Sequence, residues 1–137
     1  MPTHLTEALR TNLCGGKNVS QLIAEAAQKI SFMAQDEVLR RIQSPSSDML
    51  LIDVREKESY DQAHIPGAIH IPRGQLELLV NDILPDPTKR ILVYCECGKI
   101  STLATATLKE MGFRRAVALD LGIRSWKETG YPVEKSH

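Results

Sequence analysis

Three short apolar runs, Leu50-Leu51-Ile52-Asp53-Val54, Ile91-Leu92-Val93-Tyr94-Cys95 and Ala116-Val117-Ala118-Leu119, are spaced along this chain with helix-like segments between them. Each run is nearly continuous rather than alternating, the pattern of a strand buried on both faces of a parallel sheet. Parallel neighbours cannot be joined by a tight turn, so each pair needs a crossover, and the helical segments supply it. The alternation therefore predicts an α/β domain with a mainly parallel sheet. At 137 residues the chain is long enough for one core that needs no staples.

The helical segments read as follows. Val19, Leu22, Ile23, Ala26, Ala27 and Ile30 fall on one face of a helix over 18–30. Asn18 caps it, and Gln21 three residues on completes a capping box. That face either packs on its own domain or docks on a twin chain as a homodimer. A second helix spans Gln35 to Gln43, with Val38, Leu39 and Ile42 inward, and Ser44-Pro45-Ser46-Ser47-Asp48 ends it in a turn. Ala68-Ile69-His70-Ile71-Pro72 is a further strand candidate. A helix carries Leu76, Leu79, Val80 and Ile83 until Pro85-Asp86-Pro87 stops it. The next runs through Leu103, Ala106, Leu108 and Met111 to Gly112, and the last spans Gly122 to Glu128 with Trp126. Residues 1–17 show no clear period and read as a flexible lead-in containing Cys14.

The chemistry concentrates where the second apolar run ends. Cys95 closes a strand, Glu96-Cys97-Gly98-Lys99-Ile100-Ser101 forms a loop, and a helix follows. Loop amides and the positive end of the helix converge there and stabilise a thiolate or a bound anion. Gly98 permits tight curvature. Ser101 caps the helix or donates to the sulfur, the cap being the simpler expectation. Cys97 is either a spectator or a resolving thiol for Cys95. Glu96 places a second negative charge beside the sulfur. Two like charges about 6 Å apart repel by roughly 0.7 kcal/mol in water and about 2.8 kcal/mol at a dielectric of about 20. Lys99 and the loop amides oppose that repulsion, and a dianionic ligand is expected to bind poorly.

Asp53 and Arg55 end a neighbouring strand, on the side where open α/β sheets hold ligands. They are expected to form a buried ion pair bracing the loops, with Arg55 assisting an anionic substrate as the alternative. Arg73 is a cation that could rim the pocket. Lys plus Arg and Asp plus Glu balance at 17 each, and aromatic residues make up only 4%, which argues against nucleic acid and an anionic membrane surface as partners. The histidines, His4, His64, His70 and His137, make no second ligand pair with Cys95 and Cys97, so no metal or other cofactor is expected. Three cysteines without framework spacing, no membrane-length apolar run and no signal-type leader point to a reduced, cytoplasmic protein.

Four segments in order carry a family resemblance: Leu51-Ile52-Asp53-Val54-Arg55-Glu56, His64-Ile65-Pro66-Gly67-Ala68-Ile69-His70-Ile71-Pro72, Tyr94-Cys95-Glu96-Cys97-Gly98-Lys99-Ile100-Ser101, and Leu119 to Trp126 followed by Gly130-Tyr131-Pro132. Together they resemble a single-domain rhodanese, a sulfurtransferase. The resemblance runs from about Ile30 to Pro132, dividing the chain into an N-terminal extension with one amphipathic helix (1–30) and a rhodanese-like domain (31–137). It implies a three-layer fold and sulfur transfer through a Cys95 persulfide. The implied donor is thiosulfate or a persulfide and the implied acceptor a thiol or cyanide, with a sulfur-carrier protein as a further partner.

The sequence departs from that pattern at three places. Leu121-Gly122 stands for two glycines, Ile100 stands where an Arg usually precedes the Ser, and Glu96 follows the nucleophile. The Ile100 and Glu96 departures favour the alternative of a weakly catalytic module for partner binding or redox and sulfur sensing, while the retained Cys95 speaks against a degenerate domain. A phosphatase of related fold would need an Arg where this chain has Ser101.

Overall fold

A computed structural model describes residues 16–136. Residues 1–15 of the expected lead-in, with His4 and Cys14, and His137 lie outside the described residues. The elements are α1 (Val19–Lys29), β1 (Phe32–Met33), α2 (Gln35–Gln43), β2 (Leu50–Asp53), α3 (Lys57–Gln62), β3 (Ile69–His70), a 3-10 turn (Arg73–Gln75), α4 (Leu76–Ile83), β4 (Ile91–Tyr94), α5 (Lys99–Glu110), β5 (Ala116–Leu119) and α6 (Gly122–Glu128). Five strands form one sheet in the order β1-β5-β4-β2-β3, every pair parallel.

The apolar runs occupy the middle of that sheet because they alone can bury both faces. Along β4, Ile91 and Val93, and just past its end Cys95, enter the core that α4 and α5 cover, with Leu76, Val80, Ala104 and Leu108. Leu92 and Tyr94 point to the opposite core, which α2 and α6 cover with Val38, Ile123 and Trp126. This two-residue alternation sends Cys95 toward α5 and Tyr94 away from it. Trp126 is fully buried and its indole N–H donates to the Pro132 carbonyl at 2.8 Å.

The Asn18 side chain accepts from the Gln21 amide at 2.9 Å, and Gln21 accepts in return from the Asn18 amide at 2.8 Å, the expected capping box. Helix α1 then packs along α5 of the same chain, burying Ala26. Three boundaries differ from expectation. The run at 50–54 is strand only to Asp53, the run at 91–95 only to Tyr94, and the candidate at 68–72 only over 69–70. Each strand stops where its parallel neighbour stops, so Val54 and Cys95 are already loop residues facing ligand space.

Candidate active site

The Cys95 loop is shaped by α6 as much as by its own sequence. Gly98 takes φ +99°, turning the chain so that α5 begins at Lys99. From the other side, the Ile123 amide donates to the Cys95 carbonyl at 2.9 Å and the Arg124 amide to the Glu96 carbonyl at 3.0 Å. Gly122 makes that clasp possible. A Cβ there would sit 2.4 Å from the Glu96 oxygen, and its φ of +72° disfavours any side chain. Leu121, which stands where the family pattern has a glycine, takes a left-handed backbone at φ +68°. A leucine held in that conformation is strained. The Gln35 side chain braces the turn by donating to the Asp120 and Gly122 carbonyls, both at 2.8 Å.

Cys95 sits inside the loop, 2% exposed. Its Sγ accepts from the Gly98 amide at 3.1 Å and the Ser101 amide at 3.3 Å. Ser101 Oγ lies 3.3 Å from Sγ and 3.2 Å from the Gly98 carbonyl. Two amides and one hydroxyl at the start of a helix make a cradle for negative charge on sulfur. The expectation of Ser101 as a cap is corrected: Gly98 holds the cap position with no side-chain cap bond, and Ser101, two residues inside the helix, faces the sulfur. The Gly98 carbonyl also receives the Thr102 hydroxyl at 2.7 Å and the Thr102 amide at 3.2 Å.

Behind the loop lies a buried charge network. Asp53 is fully buried and takes Arg55 Nη2 at 2.8 Å, Nε at 3.1 and 3.2 Å, and the Arg55 amide at 2.9 Å. Burial pulls the guanidinium's affinity for its proton down, but the Asp53 hydrogen bonds and charge outweigh it and leave Arg55 raised. The Tyr94 hydroxyl accepts from the Ile65 amide at 3.0 Å. Its phenol is pushed far above the usual range, first by burial and then by the Asp53 charge. Tyr94 therefore stays neutral.

Arg55 also reaches Glu96, Nη1 to Oε1 at 3.4 Å, and Arg124 Nε lies 3.6 Å from Oε2 of the same carboxylate. Lys99, expected to offset Glu96, makes no ion pair among the described residues; Arg55 and Arg124 do so instead. A pocket of about 280 Å³ opens in front of the sulfur, lined by Cys95, Cys97, Val54, Arg55, Glu56, Ser59, Arg73, Glu96 and Ile100. Its lining charges, two arginines and two glutamates, sum to zero. Arg73 is itself paired with Glu77 at 2.8 Å. Cys97 is an exposed free thiol at the pocket wall. His64 and His70 stack on the Tyr60 ring at 3.9 and 4.7 Å, away from this pocket.

A family model described as a rhodanese-like domain matches residues 34–129. The chain belongs to the rhodanese family. Among its relatives, a Bacillus subtilis protein named "Putative sulfur carrier protein YrkF" is 33% identical over 82% of this chain, which spans 57% of that relative's length. A sulfurtransferase of Allochromatium vinosum is 30% identical over 71% of this chain and 89% of its own. In structure, a Rhodopseudomonas palustris protein of unknown function, described as a possible tyrosine phosphatase, superposes with a TM-score of 0.79 at 25% identity, over 86% of this chain and 95% of that one.

Two members of this rhodanese site escape a reading of the sequence. Tyr94 reads as core, yet its hydroxyl accepts from the Ile65 amide of a neighbouring loop, and the Asp53 charge helps to keep its phenol protonated. Arg124 lies 28 positions beyond Glu96 on a different element, and no local pattern pairs them. A cation in the first turn after Leu121-Gly122, facing a segment with an acidic residue, was the only available signal.

Proposed function

We propose that this rhodanese is a sulfurtransferase that carries sulfane sulfur on Cys95. The carrying observation is the cradle around Sγ, with the Gly98 and Ser101 amides at 3.1 and 3.3 Å and a pocket open in front. The Cys95 thiolate attacks the outer sulfur of thiosulfate or a persulfide, and sulfite or a thiolate leaves. The resulting persulfide is an anion of the kind the cradle suits. A thiol, cyanide or a sulfur-carrier protein then takes the outer sulfur and returns Cys95 to thiolate. Arg55 and Arg73 rim the pocket and orient the donor, Asp53 holds Arg55 in place, and the protein works in a reducing compartment, the cytoplasm.

The test is intact-protein mass spectrometry after incubation with thiosulfate and, separately, with a small persulfide. Gain of one sulfur, lost on adding cyanide and absent in Cys95→Ser, is the expected result. No gain with either donor would overturn the enzyme reading in favour of a partner-binding module. A phosphatase is disfavoured because Ser101 stands where a phosphate-clamping guanidinium would be needed.

A further inference from the structure

Ile100, the residue that replaces the usual loop Arg, belongs to two spaces at once. On one side it lines the Cys95 pocket. On the other it lines a larger groove of about 440 Å³ between α1 and α5, walled by Val19, Ile23, Ala24, Leu103 and Lys99. Ile100 is 49% exposed and Val19 62%, so apolar surface is left open beside the reactive sulfur. One wall comes from α1, which lies outside the matched family region, and the other from Lys99, Ile100 and Leu103 of α5, so the matched region alone does not form this groove.

Charge argues the same way. The Cys95 pocket has no net lining charge, and its arginines are already paired with Asp53, Glu96 and Glu77. A small dianion finds little there to replace its hydration, whereas an apolar arm finds a desolvated wall leading away from the sulfur. Lys99 flanks the groove without a carboxylate partner among the described residues, so a neutral or anionic arm is favoured over a cationic one.

We propose that the groove binds the apolar substituent of an organic thiol or persulfide, and that such molecules, rather than small inorganic anions, are the partners of Cys95. This deepens the proposed function and rests on it. In the acceptor direction, R–SH gives its proton to the outer sulfur of the Cys95 persulfide anion, and the resulting R–S⁻ attacks that sulfur. The bond between the two sulfurs of the persulfide breaks, R–S–SH forms, and the electron pair stays on Cys95 as thiolate. No net oxidation or reduction occurs.

The experiment loads Cys95 with a small persulfide, verifies the added sulfur by mass, and follows its transfer to straight-chain alkanethiols of increasing length and to their ω-carboxylate and ω-amine analogues. Burial of each methylene in such a groove raises the second-order rate constant up to about fourfold, until the groove is filled. At equal length the carboxylate should outpace the amine. Val19→Asn, an exposed position, and Ile23→Asn should flatten the length dependence. A wild-type rate independent of chain length overturns the proposal. So does sedimentation showing that the groove is covered by a second copy, with Val19→Asn breaking the dimer and length having no effect. If Cys95 never loads, the sulfurtransferase reading itself fails, a result distinct from a loaded protein that ignores chain length.

Discussion

Glu96 is the residue whose replacement most directly tests the electrostatics of the site. It carries one of the two negative charges on a pocket whose lining charges sum to zero, and it engages Arg55 and Arg124. Glu96→Gln keeps the shape, leaves the pocket at +1, and frees an Arg55 nitrogen while Asp53 still holds the rest of that guanidinium. The carboxylate is 40% exposed, so the interaction is screened by water. A dianion about 6 Å away then gains about 1.4 kcal/mol at a dielectric of about 80, roughly tenfold. In steady-state assays with cyanide as acceptor, kcat/KM for thiosulfate should rise about tenfold, and kcat/KM for a neutral organic donor should hardly move. The gain should shrink with added salt, because screening acts on the same interaction. An unchanged value for thiosulfate, or an equal rise for the neutral donor, would refute the charge-balance reasoning.

Three further outcomes follow from the geometry. Gly122→Ala drives a Cβ into the Glu96 carbonyl at 2.4 Å and should cost at least about 2 kcal/mol of stability by chemical denaturation, with Cys95 loading lost. Leu121→Gly should do the opposite. It releases a left-handed leucine that is 60% exposed, and after the entropy cost of glycine it should raise stability by about 0.5–1 kcal/mol, read as a higher Tm. Tyr94 gives the fold an alkaline limit: its folded affinity for the proton exceeds the ordinary value of 10.0, so the unfolded chain loses that proton first. Its contribution is complete below pH about 10 and falls as pH rises above it, and Tyr94→Phe should make the stability curve flatter there.

The fold was readable in the chain wherever burial leaves a periodic mark. The three apolar runs are the three central strands, and Asn18 with Gln21 caps α1 as the spacing requires. Elements too short to show a period were missed. β1 is only two residues long, while α3 is a single polar stretch with no buried residue. At the site, Cys95, its loop and the Asp53–Arg55 pair are marked by residue type and position. The direction of a hydroxyl is not so marked. Ser101 at the start of a helix suits a cap or a sulfur partner equally, and only the turn made by Gly98 decides between them. The partner of Glu96 was hidden for a related reason, since Arg124 meets it only through the clasp of α6 on the loop.

The crowding of donors on the Gly98 carbonyl has a dynamic consequence. That oxygen takes the Thr102 hydroxyl and amide in addition to the Ser101 hydroxyl. When the sulfur is a thiol, its S–H can point at Ser101 Oγ while the serine proton rests on the carbonyl. When the sulfur is an anion, the serine proton can swing to it and leave the carbonyl still satisfied. Ser101 is thus a rotor with two stops, and Thr102 keeps one of them from becoming a vacancy when the rotor leaves. The centre can gain and lose charge through a single hydroxyl rotation, with the backbone standing still.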